Sequence, residues 1–238
     1  MNPALNEALG RARLDGLTPP PRLAPSDWAE RTITLPPSAS AQRGDLRLYR
    51  FQRGFVDAFT DPEIETVAIM KSAQVGYTMS IGVLTLWHLI HKSIPILSIF
   101  PTEKAARSFY ESNIEPIILN SPEILREIPD IERQVWNELV ARTGSGLKIR
   151  PATSYDSFRS HAAGFAACDE ITSPHWNDGA TEATNEGDKI ANLLDRLQSY
   201  ANSKLMLGST PSVKGKCRIE YWYLRGDQRR FFVPCPHK

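Results

Sequence analysis

The chain has 238 residues, 41% of them hydrophobic, with 28 Lys and Arg against 27 Asp and Glu and a formal net charge of +1. That length can bury a substantial core and suits one large α/β domain, and nothing in the net charge demands a nucleic-acid partner. Three cysteines make no disulfide framework at this length and point to a reducing compartment.

In chain order, residues 2–14 read as a short amphipathic helix (Leu5, Ala8, Leu9, Ala12, Leu14), which Thr18-Pro19-Pro20-Pro21 breaks into a stiff linker or surface arm. Arg47 to Phe59 follows, with Tyr49 and Gln52 ahead of the first strand. Either Tyr49 stacks on an adenine whose N6 and N7 edges Gln52 reads, or the pair marks a helix N-terminus with one buried tyrosine. Thr66 to Met70 is an apolar strand-like run, and Met79 to Ile90 an apolar helix-like one. Ile96 to Phe100 is a second strand, after which Thr102 opens a helix as its N-cap with Glu103 in the first turn. Residues 116–142 form an acidic, mainly helical excursion, and the Gly144-Ser145-Gly146 turn leads into a strand over Leu147 to Arg150. Small apolar residues from His161 to Cys168 read as a buried strand that ends in Asp169-Glu170. Asn192 to Tyr200 is helical, with Leu193, Leu194 and Leu197 on one face and Arg196 on another. A last strand, Leu205 to Leu207, ends in Gly208-Ser209-Thr210-Pro211.

The stretch from Lys204 to Lys238 carries eight Lys and Arg against two acids, with Tyr221, Trp222, Tyr223, Phe231 and Phe232 among them. It either touches DNA phosphates or forms a β-hairpin with an apolar core face and a solvated basic face. Cys168 reads as a small core residue; Cys235 and His237 supply two of the four ligands a structural zinc needs, so no metal is expected there. The chain shows no signal peptide, and its longest apolar stretch is too short to cross a bilayer, so a cytoplasmic protein is expected.

The chemistry concentrates at three strand ends. Lys71-Ser72-Ala73-Gln74-Val75-Gly76-Tyr77-Thr78 sits between a strand and a helix, where backbone N–H groups at a helix N-terminus hold phosphate and a hydroxyl reaches Mg²⁺. Aligned on Gly76 and Thr78, Tyr77 stands at the usual lysine position of G-x-x-x-x-G-K-[ST] and Lys71 at the usual first glycine. Asp169 suits the Mg²⁺ that bridges β- and γ-phosphates, and Glu170 the polarisation of an attacking water. Ser209 and Thr210 are placed to sense the γ-phosphate. Each segment alone has a plainer reading, as a surface lysine, a solvated acid pair or a strand-ending turn. Their conjunction at the carboxyl ends of strands is where open parallel sheets gather ligands.

The ordered set resembles the ATPase domain of the lambda-type phage terminase large subunit. Lys71 to Thr78 is similar to that family's deviant Walker A, whose lysine also comes first. Ser98-Ile99-Phe100-Pro101-Thr102 resembles the element after it, and Phe158-Arg159-Ser160 with Asp169-Glu170 the approach to Walker B. Glu186-Gly187-Asp188 with Arg196 resembles a later segment, Gly208 to Pro211 the coupling motif, and Val233-Pro234-Cys235-Pro236-His237 a Cys-Pro-His-Cys element. The resemblance runs from about Trp28 onward. It implies a P-loop NTPase fold of the RecA-like (ASCE) class, a mainly parallel sheet with helices on both faces. It also implies ATP and Mg²⁺ as cofactors. Double-stranded DNA, a small terminase subunit and the portal of a prohead are the implied partners, with a homo-oligomeric ring when assembled.

Under this reading residues 1–27 are an arm, 28–230 the ATPase domain and 231–238 the start of a linker, with the family's nuclease domain not present in the chain. The family's loop can carry an arginine where this chain has Gln74, which leaves Arg159 and Arg196 as the cations for the developing charge, in cis or in a neighbouring subunit. Two other readings stay open: a helicase-like translocase, and a non-catalytic scaffold whose loop has decayed.

Overall fold

The structure, a computed structural model, describes residues 23–36, 44–176, 187–232 and 235. The expected helix over 2–14, the proline break, Glu186, Val233, Pro234, Pro236 and His237 lie outside the described residues. Six strands make the central sheet: β3 (Thr66–Met70), β4 (Ile96–Phe100), β5 (Glu138–Val140), β6 (Gly146–Pro151), β7 (Phe165–Cys168) and β8 (Lys204–Ser209). Their order across the sheet is β3-β8-β7-β4-β6-β5, all parallel except β5, which runs antiparallel to β6. A separate two-stranded ribbon pairs β1 (Thr34–Leu35) with β2 (Gly44–Asp45).

Parallel strands have helices on both faces and so are apolar on both. Their alternation sorts the side chains here. Ile96, Phe100, Phe165, Ala167 and Met206 join one core layer, while Leu97, Ile99, Ala166, Cys168, Leu205 and Leu207 join the other. The first layer is capped by α1 (Pro25–Thr32), α2 (Arg50–Asp57), α3 (Tyr77–His91), α4 (Glu103–Phe109), α5 (Glu115–Asn120) and α6 (Pro122–Glu127). The second is capped by α7 (Asp156–Arg159), α8 (Lys189–Leu197) and α9 (Arg218–Arg225). Helix α3 is buried on nearly every side, which is why its sequence has no polar stripe. Within it the imidazole of His88 stacks on Phe165 at 4.0 Å, and burial pushes its pKa down to about 3, so it is a neutral core group.

Most expected elements are present within a residue or two. Thr102 caps α4, its hydroxyl accepting from the Ala105 N–H at 3.1 Å. Three expectations are corrected. The acidic excursion is helical only as far as a short turn at Ile131–Arg133; beyond it Glu138–Val140 is an edge strand whose Leu139 is buried between two exposed neighbours. The strand before Asp169 begins at Phe165 rather than His161. The expected C-terminal hairpin is the helix α9, because Ile219 and Trp222, three residues apart, fall on one helical face and both pack on the second core layer.

Candidate nucleotide site

The ladder of β3 extends one residue past the strand, Lys71 N–H donating to the Ser209 carbonyl at 3.1 Å. The chain then turns through exposed Ser72, Ala73 and Gln74, with Gln74 at φ +58°, and enters α3 through Gly76 at φ +72°. No acid lies in the first turn of α3, so no residue of the helix itself offsets the positive end of its dipole at the loop. Gln52 braces this turn: its Nε2 donates to the Val75 carbonyl at 3.0 Å, and its Oε1 accepts from the Tyr49 N–H at 2.8 Å. Gly76 is needed twice over, for its φ and because a Cβ there would stand 2.3 Å from Gln52 Nε2.

Asp169 follows β7, its N–H donating to the Ile99 carbonyl at 2.9 Å, and its own carbonyl accepts from the indole N–H of Trp176 at 3.0 Å. The side chain is 8% exposed, and Oδ1 is buried with no hydrogen-bond partner. Burial raises its pKa to about 6, against the pull of the nearby Lys71 ammonium and Thr78 hydroxyl. Glu170 adopts a left-handed φ of +47°, turning its side chain back over the sheet edge. There Lys71 Nζ donates to Oε1 at 2.5 Å, while Oε2 accepts from Ser209 Oγ at 3.0 Å and from the Thr210 N–H at 3.2 Å. Burial works to raise the Glu170 pKa, but these bonds, the one from Lys71 foremost, hold it below its ordinary value. Ser209 Oγ also accepts from the Thr172 N–H at 3.2 Å, and the Thr172 hydroxyl lies 3.7 Å from Cys217 Sγ at the start of α9.

Three adjacent strands thus deliver a lysine, a hydroxyl and two carboxylates to one place. The orphaned Asp169 oxygen beside the Thr78 hydroxyl is the donor set a Mg²⁺ uses when phosphates and water complete its shell. It is compatible with the lack, among the described residues, of any cluster of three or more His, Cys, Asp or Glu that could hold a metal. Two clefts of about 280 and 350 Å³ open elsewhere, along β6; neither includes a residue of the loop or the acid pair. A phosphate loop grips through outward amides, so an open edge and not a cavity is the form expected of it.

A family model described as "Phage terminase large subunit gpA, ATPase domain" matches residues 38–237. The chain belongs to that family. The terminase large subunit of Enterobacteria phage P21 is 29% identical over 236 residues, covering 97% of this chain and 36% of that protein. The terminase large subunit of Escherichia phage lambda is 28% identical over 235 residues, covering 95% and 35%. The chain therefore spans about a third of the length of these curated relatives. A crystal structure of the HK97 bacteriophage large terminase superposes with a TM-score of 0.67 at 16% identity, over 84% of this chain and 40% of that one. That likeness shows the P-loop NTPase fold.

Within this terminase ATPase domain, Lys71, Thr78, Asp169, Glu170, Ser209 and Thr210 lie together beside the ends of β3, β7 and β8. Other candidates are placed differently. Gln52 cannot read an adenine edge: it is 4% exposed, and both ends of its amide are taken by backbone. Tyr49 does stand at a helix start, as the N-cap of α2, but it is not buried: it is 58% exposed and stacked on Phe51 with ring centroids 5.6 Å apart. Only the backbone of Tyr77 belongs to the loop, since its ring is buried in the sheet. Arg196 sits at the wrong end of the strands for action in cis. Its carbonyl accepts from the Ala163 N–H, six residues before Asp169, or about 20 Å of extended chain. Arg159 is exposed on α7 with its guanidinium over the Tyr155 ring. Thr172 went unread in the sequence, where it is one hydroxyl among many. Among the described residues no helix is long and apolar enough to cross a membrane.

Proposed function

We propose that this domain binds ATP with Mg²⁺ and couples its hydrolysis to the movement of double-stranded DNA. The observation that carries the reading is the meeting of Lys71, Asp169, Glu170 and Ser209 at the ends of three neighbouring parallel strands, beside an anion-facing helix start. The loop amides from Ser72 to Thr78 and the Lys71 ammonium would hold the β- and γ-phosphates. Thr78 and Asp169 would hold Mg²⁺, which supplies charge neutralisation across those phosphates. Lys71 serves as counter-ion to Glu170; a phosphate would compete for the same ammonium and release Oε1. Ser209 Oγ and the Thr210 N–H keep Oε2 fixed, so the freed oxygen is aimed to accept a hydrogen bond from the attacking water.

The same two contacts tie the state of Glu170 to Ser209, and from there through Thr172 to α9 with its exposed Tyr221 and Arg225. This supports Ser209 and Thr210 as the link between hydrolysis and DNA. Exposed Tyr49 remains available to stack on the base. Arg159 and Arg196 act, in this reading, from a neighbouring subunit of a homo-oligomeric ring, which carries out packaging in the host cytoplasm with a small terminase subunit and the portal of a prohead.

The test is Mg²⁺-dependent ATP turnover with and without duplex DNA, for the wild type beside Lys71→Ala and Glu170→Ala. Turnover lost in both variants, with Glu170→Ala still binding ATP, is the expected result, together with stimulation by duplex. A wild type with neither turnover nor nucleotide affinity would instead mark a scaffold with a decayed loop.

A further inference from the structure

The loop departs from the usual phosphate-binding pattern at two positions, an early lysine and a late tyrosine, and the structure joins the two. Tyr77 is 3% exposed. Its hydroxyl donates to the carbonyl of Cys168, the last residue of β7, at 3.1 Å. Its ring lies over β8 where Gly208 leaves the room: a Cβ on that glycine would stand 2.1 Å from Tyr77 Cζ and 2.4 Å from the hydroxyl oxygen. Above the ring stands Lys71, its Nζ 5.2 Å from the ring centroid, within the ~6 Å over which an aromatic face attracts an ammonium. One side chain therefore touches all three strands that build the site, β3 through Lys71, β8 through Gly208 and β7 through Cys168.

We propose that Tyr77, seated on Gly208, is a positioning residue that holds the Lys71 ammonium where phosphate is bound, in place of the lysine that position 77 usually supplies. The inference rests on the ATP reading above. A lysine at the mouth of a loop has many rotamers open to it, and a free one spends little time in any single place. Here the Tyr77 ring is one wall of its slot and Glu170 the other. When phosphate takes the ammonium from Glu170, the ring is the wall that stays, so the lysine remains aimed. Gly208 is part of the device because any side chain there would evict the ring.

A double-mutant cycle on Lys71 and Tyr77, read as the Kd of a fluorescent ATP analogue with Mg²⁺, tests it. Tyr77→Met fills the slot without an aromatic face, and Tyr77→Phe keeps the face without the hydroxyl. Tyr77→Met is expected to weaken the analogue about tenfold and Tyr77→Phe less than threefold. In a Lys71→Ala background Tyr77→Met should cost no more than about twofold further, because its effect passes through the lysine. AMP, which lacks the β- and γ-phosphates, should bind all the proteins equally, which a general loosening of the loop would not allow. Losses that multiply in the double variant, or a Tyr77→Met protein that binds like the wild type, would overturn the positioning role and leave the ATP reading standing. A wild type without affinity for the analogue would overturn both. Melting curves of each variant separate loss of fold from loss of binding. If Tyr77→Met does not fold, Tyr77→Leu takes its place in the cycle.

Discussion

Replacing Asp169 by Asn in metal-free buffer should make the protein more stable while abolishing turnover. The carboxylate has one oxygen buried without a partner, and burial raises its pKa from the ordinary 3.8 to about 6. At 1.36 kcal/mol per unit, that corresponds to about 3 kcal/mol of native-state burden at pH 8. The native chain holds this proton more tightly than the unfolded chain. Stability from this group is therefore fully present below about pH 4, falls as pH rises through 6, and is lost above. Asn removes the charge but brings an amide N–H₂ that needs partners, offsetting ~1 kcal/mol. The net gain is then about 2 kcal/mol at pH 8, shrinking by roughly 1.4 kcal/mol at pH 5, where wild-type Asp169 is already mostly protonated. Urea unfolding of both proteins in EDTA at the two pH values measures it, and the amide term cancels in the comparison. A gain that is equal at pH 5 and pH 8, or a wild type more stable than the variant at pH 8, would refute the account of a strained buried charge kept for a cation.

The other predictions concern the loop, the base and the sheet floor. Gly76→Ala meets both a left-handed φ and the Gln52 amide, so a loss of about 2–3 kcal/mol in urea unfolding is expected. Gly54→Ala, exposed in α2 with nothing within 4 Å of the new Cβ, should instead gain ~0.5–1 kcal/mol in the same assay; like-signed effects would sink that contrast. Glu170→Gln should bind ATP with near wild-type affinity while single-turnover hydrolysis slows by at least ~100-fold. Lys204, 5% exposed, donates to the Asp61 carbonyl at 2.6 Å and to that of Ile64, closing the turn before β3. Lys204→Met should cost roughly 2 kcal/mol, and an unchanged urea midpoint would count against those charge-assisted bonds.

The strand ends were legible because a buried parallel strand needs an unbroken apolar run, so the first lysine, acid pair or hydroxyl after it marks the sheet edge. Lys71, Asp169, Glu170 and Ser209 were all found that way, and the Thr102 cap by its hydroxyl before an acidic first turn. What stayed hidden depended on partners distant in sequence. The pairing of β5 is set by its neighbour β6, and its three residues carry no period of their own. Nothing near Gln52 announces that its amide will be consumed by Tyr49 and Val75. The aromatics of α9 fit a strand and a helix equally until Ile219 and Trp222 meet a core layer. Arg196 is a candidate through the family resemblance alone, and only the sheet shows which end of the strands it faces.

The order β3-β8-β7 also acts as a ruler. Two ladder spacings separate the strand that carries Lys71 from the one that carries Glu170, about 9.6 Å, with Ser209 at the midpoint. A hydrogen-bonded ladder scarcely stretches, so the backbones that hold the two residues form a jaw of nearly fixed width. Whatever enters must be gripped by side chains whose reach was set before it arrived. In such a jaw the length of a residue matters as much as its charge: an aspartate at position 170 would keep the sign and fall one methylene short of both Lys71 and Ser209.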